Sequence, residues 1–173
     1  LKQVPKPMEQ QSADIELRSA QPKDVPSIVE MIKGMAKYEK LEAQLEIDSE
    51  RLINCLFEEN PIPKAIVATL DGITVGYAIY FFNFSTFLGK KGVYLEDLYV
   101  EREYRGTGIG NRLFMKVAEV ARDENCGRME WTALDWNEPA LKFYDSRGAK
   151  ILEDWKILRL TESGIEALAS QVE

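Results

Sequence analysis

The run Arg105-Gly106-Thr107-Gly108-Ile109-Gly110 carries the strongest chemical signal in the chain. It follows a β-rich segment and opens a long helical one. Glycines at such a junction let backbone N–H groups face an anion with no Cβ in the way. The start of the helix adds roughly half a positive charge. Together these features suit a phosphate or pyrophosphate. The glycines fall as G-x-G-x-G, which fits neither the dinucleotide pattern G-x-G-x-x-G nor a P-loop with its Gly-Lys-Ser/Thr. A plain Gly-rich turn that starts a helix is the alternative. A second signal lies just upstream. In a regular strand, Tyr94, Glu96, Leu98 and Val100 share one face, and a lone carboxylate among largely apolar neighbours is costly to bury. An exposed strand face, or a Glu paired with a Lys, explains the spacing equally well. Asp97 points to the other face unless a bulge intervenes.

What the chain lacks narrows the chemistry further. None of its 173 residues is histidine, which removes Ser-His-Asp and Cys-His triads, His-ligated zinc and imidazole acid–base work. Proton transfer is left to carboxylates, Tyr, Lys, Cys or water. Cys55 and Cys126 form no CxxC pattern, which excludes a disulfide framework or a Cys-rich metal site. They read as small buried apolar residues and fit a reducing compartment such as the cytoplasm. With 22 Lys+Arg against 29 Asp+Glu, the net charge is 22 − 29 = −7. That balance argues against nucleic acid as a partner and suits a small cationic one. No apolar run approaches the length that spans a membrane, and no secretory signal opens the chain.

At roughly 150 residues per domain, one domain must position these groups. It is expected over 14–173, behind a polar, Pro-containing segment 1–13 that reads as a disordered leader or appended residues. Alternation at Ile15 and Leu17 predicts a strand over 14–19. Pro22, Asp24 and Pro26 mark a helix start, and apolar residues follow at helical spacing to Leu41. Asp48 and Ser49 cap a second helix to Glu58, stopped by Pro61 and Pro63. Strands over 65–70 and 73–84 flank Asp71-Gly72, a strong hairpin signal. A turn at 89–92, a strand over 93–100 and an amphipathic helix over 108–125 closed by Gly127 come next. Then follow a strand over 129–134, a short helix over 137–146, a strand over 151–160 and a terminal helix capped by Thr161. The aromatic run Tyr77–Phe87 is expected to be mostly core strand. The order β-α-α-β-β-β-α-β-α-β makes an α/β sandwich around a mixed sheet.

The loop also matches R-x-x-G-x-G at Arg105, Gly108 and Gly110, and in this it resembles the acetyl-coenzyme A loop of the GNAT N-acetyltransferase superfamily. Further blocks extend the resemblance over about residues 14–160. These are Ala36-Lys37-Tyr38-Glu39, Tyr94 to Val100, Tyr104-Arg105-Gly106, Trp136-Asn137-Glu138-Pro139, Phe143-Tyr144 and Gly148-Ala149. They are similar to the spermidine/spermine (diamine) acetyltransferase branch. Leu134-Asp135-Trp136-Asn137 looks closer to the thialysine-acetylating branch, and Gly148–Trp155 is about three residues shorter than in the vertebrate polyamine enzymes. The resemblance implies a GNAT fold: a mixed central β-sheet with a splayed strand pair, flanked by helices. It also implies a homodimer, with Ser85–Gly89 near its seam.

The implied reaction moves an acetyl group from acetyl-coenzyme A to the amine of a small cationic acceptor in a direct ternary complex, leaving coenzyme A. An alkyl amine has a pKa near 10.4, so only about one molecule in 10³ is neutral at pH 7, and a base must take its proton. The resemblance gives that role to Glu96, acting through ordered water. It gives the backbone of Leu98, Tyr99 and Val100 to the pantetheine arm and to polarising the thioester. The pyrophosphate falls to Arg105, Gly106, Thr107, Gly108, Ile109 and Gly110. Asn137 and Ala140 would contact the coenzyme, although Asn137 is equally a simple N-cap. Tyr144 would serve as acid near the sulfur. Its phenol (pKa about 10) is a weaker acid than a thiol (about 8.5), so it acts mainly as a hydrogen-bond donor unless its pKa is lowered. Tyr38, Glu39, Glu96, Asp97 and Glu153 would line an anionic acceptor pocket, with Glu39 meeting a second charged nitrogen. Glu39 is also explained as a solvated helix residue. A peptide N-acetyltransferase and a non-catalytic acetyl-coenzyme A sensor are the alternatives.

Overall fold

The computed structural model describes residues 15–172, so the expected leader lies outside the described residues. These form two compact units, one running to Thr132 and the other beginning at Ala133.

In the first unit, five strands lie in the order β1-β2-β3-β4-β5: β1 (Ile15–Ser19), β2 (Lys64–Leu70), β3 (Ile73–Ser85), β4 (Lys90–Val100) and β5 (Met129–Glu130). The first four are antiparallel neighbours, and β5 runs parallel to β4. Helix α1 (Val25–Glu39) follows β1, and α2 (Ser49–Phe57) starts where the Asp48 carboxylate accepts the Arg51 N–H at 2.8 Å. Val25, Ile28, Val29, Met31 and Ile32 of α1 and Leu52 and Leu56 of α2 pack on Val67, Tyr77 and Ile79. Helix α3 (Ile109–Asp123) buries Ile109, Leu113, Phe114 and Val117. A Cβ on Gly76 of β3 would sit 3.2 Å from Leu113, which puts α3 on the opposite face of the sheet. The β2–β3 connection turns through Asp71 (φ 50°) and Gly72 (φ 80°), the pair of left-handed residues that a type I′ hairpin needs.

Asp24 ties three elements together. Its carboxylate, 4 % exposed, takes both terminal nitrogens of Arg18 at 2.6 and 2.9 Å, the Gln21 N–H at 2.7 Å and the Thr74 hydroxyl at 3.0 Å. Burial alone would raise its pKa. The Arg18, Gln21 and Thr74 hydrogen bonds outweigh that and hold it below the ordinary value of 3.8. A depressed folded pKa means that the carboxylate stabilises the fold above the unfolded value and loses that contribution as pH falls through the folded one. Asp24→Asn should therefore cost about 3 kcal/mol at pH 7 in urea unfolding. The difference from wild type should shrink below pH 3.8.

Several expectations are corrected. The turn before β4 is at 86–89, and Gly92 lies inside the strand, where a Cβ would come 2.5 Å from the Asn83 side-chain oxygen. Asn125 (φ 52°), not Gly127, takes the left-handed position after α3. Strand β5 is two residues long because the chain leaves the sheet after Glu130. Cys55 is exposed and Cys126 half-buried. Of the aromatic run, Tyr77 and Tyr80 are core, while Phe84 and Phe87 are exposed. In the second unit, helices α4 (Glu138–Asp145) and α5 (Glu162–Ala169) form as expected. Residues 151–160 do not form a strand. A strand exists by pairing its backbone with a neighbour, and no described strand pairs with this β-prone stretch.

Candidate active site

Register fixes the geometry of β4. Ile79 pairs with Asp97 but Tyr80 pairs with Leu95, so Glu96 is an extra, bulged residue. The bulge overturns the expectation that Tyr94, Glu96, Leu98 and Val100 share one face. Tyr94 stands with Phe81, their rings stacked at 5.1 Å. Leu98 and Val100 pair with Ala78 and Gly76, on the α3 side. Asp97 joins Tyr77, Ile79 and Tyr99 on the α1 side. Glu96 is exposed at the bulge and Asp97 half-buried beneath it. Burial, then the neighbouring Glu96 carboxylate, pushes Asp97 up to about 6, against a lowering hydrogen bond from Tyr77. Glu39, half-buried at the end of α1, is also raised by burial, so it is not a fully solvated helix residue. Tyr38, beside it, is 43 % exposed.

The far edge of β4 is open. β5 pairs with it only at Val93–Met129 and Tyr94–Glu130. From Leu95 to Val100 no described strand borders that edge, which leaves alternate backbone groups available to an extended ligand. The Val100 carbonyl is taken: it accepts the Arg105 Nε at 2.9 Å. The Arg105 guanidinium lies 5.0 Å from the Tyr99 ring centre and 5.7 Å from that of Tyr38, within the range of cation–π attraction.

The loop after β4 then makes its cradle. Gly106 (φ 78°) and Gly108 (φ 88°) adopt left-handed backbone, and a Cβ at either would meet nothing within 4 Å. Thr107 donates its hydroxyl to the Tyr104 carbonyl at 2.6 Å. The first intrahelical bond of α3 runs from the Arg112 N–H to the Gly108 carbonyl. No side chain caps the helix, and the first-turn N–H groups of Ile109 and Gly110 precede the first intrahelical bond. Gly110 lies 3.7 Å, from its Cβ position, to the Val100 side chain. Open space over left-handed glycines at an uncapped helix start fits a pyrophosphate, and the bare edge of β4 beside it fits a pantetheine chain.

The remaining expected residues lie in the second unit. Asn137 caps α4, its side-chain oxygen accepting the Ala140 N–H at 3.4 Å. Ala140 and Tyr144 are one turn apart on that helix. Burial pushes the Tyr144 phenol up to about 12. Glu153 is exposed, within the stretch that was expected to be a strand. Two features went unforeseen. One is the stack of Arg105 on Tyr38 and Tyr99. The other is Tyr77, whose hydroxyl donates to Asp97 at 3.3 Å. The bulge that brings Tyr77 and Asp97 to one face has no turn residue or glycine to announce it.

Comparison with known proteins gives a consistent result. Residues 28–149 match the acetyltransferase (GNAT) family. The chain is 38 % identical over 170 residues to the thialysine N-epsilon-acetyltransferase of Sus scrofa, covering 92 % of this chain and 99 % of that protein. It is 27 % identical over 197 residues to an L-ornithine N5-acetyltransferase of Arabidopsis thaliana, covering 88 % and 86 %. Among solved structures it resembles an integron cassette protein of V. cholerae with a TM-score of 0.74 and 28 % identity, covering 90 % of this chain and 97 % of that one.

Proposed function

Because this chain belongs to the GNAT acetyltransferase family and is an N-acetyltransferase, we propose that its donor is acetyl-coenzyme A and its acceptor the terminal amine of a small cationic molecule: a thialysine-like amino acid, a diamine or a polyamine. The observation that carries the proposal is the acidic group Glu39, Glu96 and Asp97 at the bulge of β4, with the open strand edge leading from it to the glycine loop. Relatives named for thialysine and ornithine support it, since both molecules pair a terminal amine with a second charged nitrogen.

The coenzyme supplies an acetyl thioester. In this reading Gly106, Gly108 and the first N–H groups of α3 hold its pyrophosphate, with Arg105 and Thr107 shaping the loop. The family resemblance gives coenzyme contacts to Asn137, Ala140 and Tyr144 on α4 as well, and the family match over residues 28–149 supports one catalytic domain. Leu98, Tyr99 and Val100 line the thioester arm. Glu96 would take the ammonium proton through water; the amine nitrogen would then bond to the acetyl carbon as its C–S bond breaks, and the surplus N–H proton would pass to the departing thiolate, leaving the amide and the free thiol. Asp97 and Glu39 hold the second positive nitrogen, assisted by Tyr38. Glu153 stays a candidate for the outer end of the acceptor.

Tyr144 acts on the departing sulfur as a hydrogen-bond donor. With its phenol at about 12, complete proton transfer to a thiolate near 8.5 would be uphill by roughly 5 kcal/mol. The homodimer belongs to the same proposal. Ile151, Trp155, Ile157 and Leu158 leave apolar surface exposed that a second copy of the chain would cover.

Initial velocities with both substrates varied test the direct-transfer step. Double-reciprocal lines should intersect. Parallel lines, with acetylated enzyme in the intact mass, would point to a covalent intermediate instead.

A further inference from the structure

Tyr77 is fully buried, at 0 % exposure, in the middle of β3. Nothing in the proposed reaction uses it, and a core position there needs only a ring. The hydroxyl is the anomaly, because a buried phenol must find a partner. It finds Asp97, donating at 3.3 Å to the residue that follows the β4 bulge and pairs with Ile79, two positions along β3 from Tyr77. The ring itself is fixed: it packs with Ile28, Val29 and Ile32 of α1 in the core cluster and lies 6.3 Å from the Tyr99 ring. Tyr99 in turn is pressed against α1, where a Cβ on Gly34 would come 2.8 Å from its hydroxyl.

We propose that Tyr77 is a positioning residue for acceptor recognition: its immobilised hydroxyl holds the Asp97 carboxylate in the ionised form and in the orientation that receives the acceptor's charged nitrogen. This rests on the acceptor reading of Asp97 given above. The groups acting on Asp97 are Glu96 on its own strand, Tyr77 on β3 and Glu39 on α1; Tyr99, the next residue on that face of β4, acts on Tyr77, and the Arg105 guanidinium lies over the rings of Tyr99 and Tyr38. Two of the neighbours are carboxylates, which oppose ionisation of Asp97. Tyr77 supplies the opposing hydrogen bond. Burial and the Asp97 charge keep the Tyr77 phenol well above its ordinary value, so it remains a donor throughout the working pH range.

A hydrogen bond to the charged form lowers a carboxyl pKa, and removing it raises the pKa. Affinity for a dicationic acceptor, measured by calorimetry on the coenzyme A complex, should fall on acidification with a midpoint near 6. In Tyr77→Phe that midpoint should rise by about one unit, with coenzyme A affinity retained as the sign of an intact fold. Asp97→Asn should abolish the acid limb, and adding Tyr77→Phe to it should change acceptor affinity no further. If Asp97→Asn leaves the limb in place, the acceptor reading of Asp97 fails. If Asp97→Asn removes the limb while Tyr77→Phe leaves its midpoint unmoved, the Tyr77 proposal alone is overturned. A measurement on the unaltered chain covers the case of a variant that does not fold. The Tyr77 Cζ resonance of tyrosine-labelled protein should step at the pH where Asp97 titrates, and a flat trace there overturns the proposal.

Discussion

Glu96→Gln should lower kcat/KM for the amine by roughly 10²–10⁴-fold, the usual worth of a positioned general base. The coenzyme Kd should stay near wild type. The deficit should narrow as pH rises towards the amine pKa of about 10.4, because solvent then supplies the neutral nucleophile. Glu96 is suited to the task by the bulge. The extra residue in β4 lifts its carboxylate out to water while Asp97 turns inward. Tyr144→Phe should cost less, roughly 10- to 100-fold in kcat, the value of one hydrogen bond to a developing charge. Steady-state rates at several pH values decide the matter. A Glu96→Gln enzyme within about threefold of wild type, far short of a general base's worth, would move the base role to Asp97.

Gly108→Val should raise the coenzyme Kd roughly 10²-fold, through strain at a left-handed position and loss of aligned N–H donors. Its φ of 88° is one that a β-branched residue rarely adopts, and the space a Cβ would enter is otherwise empty. Gly72 offers the control. It has a comparable φ of 80° and equally open surroundings, but it lies at the hairpin tip between β2 and β3. Gly72→Val should lower stability to urea and leave the coenzyme Kd unchanged. Equal coenzyme affinity in both variants, measured by calorimetry, would remove the glycine loop from the binding site.

Much of this architecture could be read from residue types. Asp71-Gly72 announced its hairpin, Asp48 its helix cap, and the glycines their loop, because each rests on local backbone preferences. The failures are non-local. The bulge at Glu96 is visible only in the register with β3, and it decides which face Glu96 and Asp97 serve. The stretch 151–160 has the composition of a strand, but composition cannot supply the partner. Likewise, Tyr77 looked like any core aromatic until Asp97 was known to lie opposite its hydroxyl.

Thiol release from acetyl-coenzyme A, followed with thialysine, ornithine, lysine, putrescine, spermidine and a short lysine peptide, tests the central claim most directly. Turnover is expected on small acceptors carrying two nitrogens, ranked by their length, with little on the peptide. Turnover on the peptide alone, or none on any amine while coenzyme still binds, would contradict it.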